Sequence, residues 1–440
     1  MYLIQRILKS QAYKSFVLGV RRITRNHLLE GVSLLSLFAM SSCSALPIPP
    51  KSEVPTPHPT HSSFPYYQTN VYRDYFQDYL GKSQEDVASK IDKGWQQLFY
   101  GDDMTERVYY PVDTDMAYIL DVGNGDVRTE GMSYGMMIAV QLNRKEEFDR
   151  LWKWTKTYMY QSEGPFRGYF AWHCTPDGQK LASNPASDGE EWFVMALLFA
   201  AHRWGNGEGI FNYREEAQQI LNTMLHKSEE DNGIATNMFD LESKQVVFVP
   251  SGRYATFTNP SYHLPFYYEL WARWAAQDNS FWYEAAQASR SFFHKAAHPQ
   301  TGLMPDYANF DGSPVDDPEH EDFRFDAWRT LANVAVDYAW FKADPWQIEQ
   351  SNRVLDFLAS HGIHTFPNQY TLEGTPLSSD HSTGLVAMAA VAGMIADPQK
   401  GQPFIEALWN ADIPTGKWRY YDGMLYLLAL LHVSGNFRIY

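Results

Sequence analysis

Residues 189–204 read G-E-E-W-F-V-M-A-L-L-F-A-A-H-R-W, and residues 382–396 read S-T-G-L-V-A-M-A-A-V-A-G-M-I-A. Both are apolar nearly all round, without the polar stripe of a surface helix, so both belong inside a large helical body. The same helical period recurs at 84–98, 131–144, 146–160, 213–227, 264–277, 280–297, 327–342, 345–360, 402–410 and 420–433. Twelve helical segments result. Those such as 84–98 and 345–360 keep a polar face and suit an outer layer. Periodicity alone supports a large all-α domain. Inner and outer helices paired in six hairpins would describe an (α/α)6 barrel, a double ring of twelve helices with small loop or hairpin insertions. The best strand candidate is 243–258, S-K-Q-V-V-F-V-P-S-G-R-Y-A-T-F-T, expected as a small hairpin or extended loop on one face.

Charge divides the chain. Residues 1–43 hold six Lys or Arg against Glu30 alone, a net of +5, so the total of −16 leaves −21 on residues 44–440. A body this acidic repels phosphate backbones, which argues against nucleic acid as a partner. In the N-terminal stretch a basic region precedes the apolar run Gly31–Met40 and then Ser41-Ser42-Cys43. The run is too short to span a bilayer, and small residues before a Cys resemble a bacterial lipoprotein signal. The expectation is an exported protein anchored through lipidated Cys43 in the periplasm or at the cell surface. A simply cleaved signal is one alternative, and a misassigned start with a cytoplasmic protein is another. Residues 44–66 carry seven of the 24 prolines and read as an extended linker. The helical body is then expected over 67–440. The second cysteine, Cys174, sits among aromatics in G-Y-F-A-W-H-C and reads as a small buried filler.

Phe, Tyr and Trp make up 15% of the chain, more than a core of this size requires, and exposed rings are suited to stacking on sugars. Among the acids, three stand at the mouths of helical segments. Glu130 lies in D-V-R-T-E-G-M-S-Y-G-M-M, one turn before Tyr134. It is either a carboxylate stabilised by the helix dipole or an acid whose pKa is raised by burial or by a neighbour such as Asp126. Asp188 precedes the apolar segment 189–204, and with Glu191 three residues on it reads as a capping box or as a site acid at a barrel mouth. Asp326, in F-R-F-D-A-W-R, has Arg329 at i+3; it is a helix-start ion pair or a base kept ionised to activate water. Rings near these acids in sequence are Tyr169, Phe170, Trp172, Trp192, Tyr254, Phe257 and Tyr262, with His263 beside them. Trp172 is the preferred exposed ring. His361 and His364, or His320 near Asp317, form no metal framework, and no phosphate loop, dinucleotide fingerprint or serine elbow is present. Neither a metal nor a cofactor is expected.

The run V-R-T-E-G-M-S-Y-G-M-M resembles the general-acid region of glycoside hydrolase family 8, and F-D-A-W-R resembles its general-base region. P-A-S-D-G-E-E-W-F is similar to the segment that supplies a third, sugar-contacting carboxylate. The likeness runs from about residue 68 to the C-terminus. It implies an (α/α)6 barrel and inversion at the anomeric carbon, with Glu130 as general acid, Asp326 as general base and Asp188 tuning the acid. Inversion also implies carboxyl groups roughly 6.5–9.5 Å apart, leaving room for a water. G-Y-F-A-W, P-S-Y-H-L-P-F-Y-Y-E-L and R-Y-Y-D-G-M-L-Y extend the likeness to members that release xylose from the reducing end of xylo-oligosaccharides. In those, a loop His closes the cleft beyond the first leaving-group subsite; the matching residue is His381, followed by Ser382 where that group has Pro. Those members are usually intracellular, a departure from the export signal read here. Trp172, Tyr134, His381, Arg329, Tyr254, Phe257, Tyr262 and Trp192 are the expected substrate-binding residues. The expected partner is a xylo-oligosaccharide, met by a monomer. An endo-acting xylanase, β-glucanase, chitosanase or cellulase is the nearest alternative, and a non-catalytic glycan-binding lipoprotein is an alternative of another class.

Overall fold

The structure, a computed structural model, describes residues 65–230 and 233–440. The stretch expected to be a signal segment, with Cys43, and the expected linker as far as residue 64 lie outside the described residues. The folded body begins slightly earlier than expected, because Pro65 and Tyr66 are already buried. Two short helices, α1 (Tyr66–Thr69) and α2 (Tyr75–Leu80), precede the main helices and carry no long period for a sequence reading to find.

All twelve expected segments are helices. They are α3 (Gln84–Tyr100), α4 (Thr129–Gln141), α5 (Lys145–Trp154), α6 (Ser187–Trp204), α7 (Tyr213–His226) and α8 (Pro265–Trp274). The second half follows with α9 (Asn279–Ala296), α10 (Arg329–Phe341), α11 (Trp346–Ser360), α12 (Thr383–Ala392), α13 (Pro398–Asn410) and α14 (Arg419–Val433). From α3 onward outer and inner helices alternate. The inner set is α4, α6, α8, α10, α12 and α14, and α12 is buried at every position from Gly384 to Ala392. Inner helix packs on inner helix, α6 meeting α8 through Trp192 on Tyr267 and Phe199 on Trp274, and α14 packs back on α4, so the ring closes. The fold is an all-α double ring of the (α/α) barrel type. Much of the aromatic content is core: Trp95, Trp152, Trp271, Trp282 and Trp340 are fully buried. Deep between α8, α9 and α10, Arg290 pairs with Glu269 at 2.8 Å and with Asp337 at 2.8 Å. Among the described residues no helix is long and apolar enough to cross a membrane.

The sheet is not where the strand signal fell. Residues 243–258 form an extended loop with isolated bridges and a 3-10 turn at Gly252–Ala255. Val246, Val247 and Val249 are buried there, yet no long partner runs in register beside them. The actual sheet is antiparallel and ordered β1 (Tyr109–Val112), β2 (Met116–Asp121), β3 (Asp126–Arg128), β4 (His173–Cys174). Only β2 is long enough to show alternating burial, so little of this sheet was visible to a period count.

That sheet delivers two functional segments. β3 runs straight into α4 and Glu130, while β4 pairs Arg128 with His173. The Thr129 N–H donates to the Trp172 carbonyl at 2.9 Å, strapping the Trp172 loop to the turn that carries Glu130. Gly189 then lets the N-termini of α4 and α6 meet: a Cβ there would stand 2.4 Å from the Thr129 side chain. Helix propensity alone favours Ala over Gly by about 1 kcal/mol. Gly189→Ala is nevertheless expected to destabilise the protein by about 1–3 kcal/mol through overpacking, read from the urea midpoint. A stability equal to or above wild type would contradict this close approach.

Candidate active site

The sequence-predicted acids come together at one guanidinium. Arg329 opens α10, and the 3-10 turn before it, Phe325–Trp328, carries Asp326. Arg329 Nη1 donates to Tyr134 Oη at 2.6 Å, to Asp188 Oδ2 at 3.0 Å and to Glu130 Oε2 at 3.2 Å. Nη2 donates to Ser261 Oγ at 2.9 Å and lies 3.2 Å from Asp326 Oδ2. The Arg329 side chain is only 5% exposed. Three acids from three inner-helix mouths therefore share one buried cation.

Each acid keeps a different environment. Asp326 is the most open, its side chain 30% exposed against 16% for Glu130 and 7% for Asp188. Asn259 Nδ2 donates to Asp326 Oδ2 at 3.2 Å, and Ser261 donates to Asn259 Oδ1 at 2.8 Å. Tyr420 Oη donates to Glu130 Oε1 at 2.8 Å. Gly131 makes room for that contact, since a Cβ would stand 2.6 Å from the Tyr420 ring. Burial pushes Glu130 up to about 7; Arg329 opposes the shift and the nearby Asp326 and Asp188 add to it. Burial, reinforced by Asp326 and opposed by Arg329, raises Asp188 as well. The dipole of α4 acts in the other direction and is outweighed. Asp126, the neighbour suggested by the sequence, takes no part: it pairs with Arg128 and His173.

Asp188 is not a helix cap. Helix α6 starts at Ser187 with Ala186 in the cap position, and no side chain caps it. Asp188 Oδ1 accepts only the neighbouring Gly189 N–H, while Glu191 is buried in a hydrogen bond with Tyr268. The local rule loses here because Arg329 draws the other Asp188 oxygen into the site.

Trp172 is half-buried and flat against His173, with ring centroids 3.7 Å apart and an 8° interplanar angle. The Arg128 guanidinium lies 5.5 Å from its ring centroid. A ring held this firmly loses little entropy on stacking against a sugar. Tyr254 and Phe257 are accessible and join Phe248 and Tyr307 in an aromatic wall. Tyr262 lies at its buried edge, 5.6 Å from the Arg329 guanidinium. Other expected rings are structural. Trp192 stands edge-on behind Tyr134 at 4.7 Å with 8% of its surface exposed, so it positions Tyr134 rather than offering a face. Tyr169 and Phe170 are fully buried. His263 is held between Thr258 and Ser289, and burial pushes it down to about 3. Cys174 is a buried filler whose thiol burial pushes up to about 11.

His381 is exposed on a loop at the same end of the barrel. Its Nδ1 donates to the Phe366 carbonyl at 2.8 Å, which leaves Nε2 as an acceptor. Ser382, standing where the resembled group has Pro, accepts from Asn368 Nδ2 at 2.6 Å. A side-chain hydrogen bond thus holds the backbone that a proline ring would have stiffened. Sequence reasoning missed Tyr420, Asn259 and Ser261. Tyr420 and Ser261 lie inside the quoted runs R-Y-Y-D-G-M-L-Y and P-S-Y-H-L-P-F-Y-Y-E-L, and Asn259 stands immediately before the second, but neither spacing nor period ties them to an acid. His320 pairs with buried Asp306 at 2.6 Å. Among the described residues no group of His, Cys, Asp or Glu is placed to hold a metal ion.

A buried acid beside a solvent-reached carboxylate, with rings on either side, is the equipment for hydrolysing a glycosidic bond. The oxygens of Glu130 and Asp326 on adjacent Arg329 nitrogens can be no farther apart than about 9 Å. Residues 114–435 match the family described as glycosyl hydrolases family 8. The chain belongs to that family. It is 46% identical over 380 residues to the reducing-end xylose-releasing exo-oligoxylanase Rex8A of Paenibacillus barcinonensis, covering 85% of this chain and 98% of that one. The corresponding enzyme of Halalkalibacterium halodurans is 43% identical over 379 residues, covering 85% and 96%. Among solved structures, Rex8A complexed with xylose superposes with a TM-score of 0.82 at 45% identity, over 86% of this chain and 100% of that one. A family 8 xylanase of Teredinibacter turnerae, a catalytic mutant bound to xylohexaose, gives 0.81 at 46% identity over 85% and 99%.

The Glu130 environment has a direct readout. In carboxyl-labelled protein, NMR titration of Glu130 is expected to have its midpoint near 7. Asp188→Asn, which removes a nearby negative charge, moves the midpoint down. Tyr420→Phe, which removes a hydrogen bond to the ionised form, moves it up. A midpoint in the ordinary carboxylate range would show that the site is not desolvated as described.

Proposed function

We propose that this protein is an inverting glycoside hydrolase that releases single xylose units from the reducing end of xylo-oligosaccharides. The observation that carries it is the division of labour around Arg329. Glu130 is held protonated near neutral pH by burial, and Asp326 is left open to water. In a family 8 chain those two states are the acid and the base.

A xylo-oligosaccharide lies along Trp172 and across the acids, with its last sugar toward His381. Glu130 gives its proton to the glycosidic oxygen. Water attacks the anomeric carbon from the opposite face and loses a proton to Asp326, which Asn259 and Arg329 hold in place. The C–O bond breaks, xylose leaves, and the new hemiacetal has the inverted configuration. Asp188 contacts the central sugar and, by its charge, helps keep Glu130 protonated. Solvent then restores both carboxyls.

The specific observation favouring an endo mode is the equally close likeness to the Teredinibacter xylanase. Digests separate the two. Xylotetraose is expected to give xylose and xylotriose as its first products, with the new end appearing as the α-anomer by NMR; xylobiose formed ahead of xylotriose would mean internal cleavage. Glu130→Ala and Asp326→Ala are each expected to lower kcat by at least about 10²–10⁴-fold with folding retained, and near wild-type turnover by either sinks the assignment. kcat/KM is expected to fall as pH rises through about 7, where Glu130 loses its proton.

The proposal extends to location: the basic stretch, apolar run and Ser-Ser-Cys43 support export with a lipid tether on an otherwise monomeric enzyme. Cys43→Ser is expected to move the enzyme from the membrane to the soluble fraction at unchanged kcat. Equal partitioning of both forms would remove the tether.

A further inference from the structure

The general-base turn and the His381 loop lie on different segments, and a third segment joins them. Phe323, three residues before Asp326, exchanges backbone hydrogen bonds with Tyr370 at 2.9 and 3.0 Å. On the other side Tyr370 bridges Pro376, and the Leu377 N–H donates to the Gln369 carbonyl at 2.9 Å. Residues 368–370 are therefore a strip with the base turn on one edge and the chain leading to His381 on the other.

Asn368 closes this arrangement with all four of its polar groups. Its N–H donates to the Asp380 carbonyl at 2.8 Å, and its carbonyl accepts Trp328 Nε1–H at 2.9 Å. Its side-chain Nδ2 donates to Ser382 Oγ at 2.6 Å, and its Oδ1 accepts from Ser378 at 2.5 Å. Asp380 and Ser382 flank His381, and Trp328 is two residues from Asp326. At 7% exposure, Asn368 makes these bonds largely out of competition with water.

We propose that Asn368 is the positioning residue that fixes the His381 loop against the general-base turn and thereby sets the product at one sugar. The inference rests on the exo reading above. Its physical content is a fixed spacing. Asp326 marks where water attacks and His381 marks where the chain must stop. A rigid connection between them makes the stretch in between accept one residue and no more. Ser382 is the part of the connection nearest the stop, and its hydroxyl is the part a substitution can remove with least disturbance.

The test compares wild type with Asn368→Ala, Ser382→Ala and Ser382→Thr on xylotriose and xylotetraose, with circular dichroism and Tm recorded for each. Asn368→Ala and Ser382→Ala are expected to raise KM about tenfold, the worth of a lost, well-made hydrogen bond, and to release xylobiose directly from xylotetraose in the first turnovers. Ser382→Thr keeps the hydroxyl and is expected to retain wild-type products. Folded Ala variants whose first products from xylotetraose are still only xylose and xylotriose, at wild-type KM, overturn the proposal, as do variants that lose kcat alone with product length unchanged. Should Asn368→Ala fail to fold, Ser382→Ala decides by the same criteria. Xylobiose formed by the wild type directly from xylotetraose, in the first turnovers and ahead of xylotriose, would overturn the exo reading itself, before any variant is considered.

Discussion

One buried cation facing three carboxylates governs this molecule. Arg329 is almost sealed from solvent and contacts Glu130, Asp188 and Asp326 within 3.2 Å. Taking a guanidinium out of water is worthwhile only when its hydrogen bonds are met, and here Tyr134 and Ser261 complete the set. One positive charge cannot neutralise three negative ones. The surplus falls on the two acids from which water is most excluded, Glu130 and Asp188, both raised by burial, while Asp326, at the open edge, meets water. In the proposed mechanism the acid and the base are the same functional group, separated in role by depth.

The barrel makes that separation possible. Six inner helices begin at one end, so side chains from α4, α6, α10 and α14 converge without a long loop to carry them. Convergence requires close approach, and the chain uses glycine at two such places, Gly131 against Tyr420 and Gly189 against Thr129. The small sheet matters for a related reason. By running β3 into α4 and pairing it with β4, it sets the Trp172 face at a fixed distance from the acid. Loops at the opposite edge do the corresponding work beyond the base, where Phe325 adopts a left-handed backbone (φ 41°) and its carbonyl accepts from Tyr421. A non-glycine residue held there stores strain, and it sits immediately before Asp326.

Much of the architecture was legible because buried helices leave a period that survives in composition. All twelve long helices were visible in that way, down to the two that are apolar all round. The sheet was not, since strands of two to six residues carry too few alternations, and the valines at 246, 247 and 249 mimic a strand while packing as a loop. For the site, Glu130, Asp188 and Asp326 were each found at a helix mouth, but the residues alone left a dull explanation open for every one of them. The resemblance to family 8 chose between the readings. Local rules misled at Asp188, where a capping pattern is present and unused, and at Trp192, whose ring is spent on holding Tyr134.

What the sequence determined by itself is the twelve long helices, the position of the three acids at their ends, and an aromatic surplus fit for sugars, because these depend on neighbours within a turn or two. What only the tertiary structure decided is which acid keeps a proton and which helix mouths meet. It also decided that Asn368 ties the His381 loop to the base. Those depend on burial and on charges brought together from positions up to 290 residues apart, such as Tyr420 and Glu130. Desolvation and Coulomb energy follow distance in space, and the chain order does not record it.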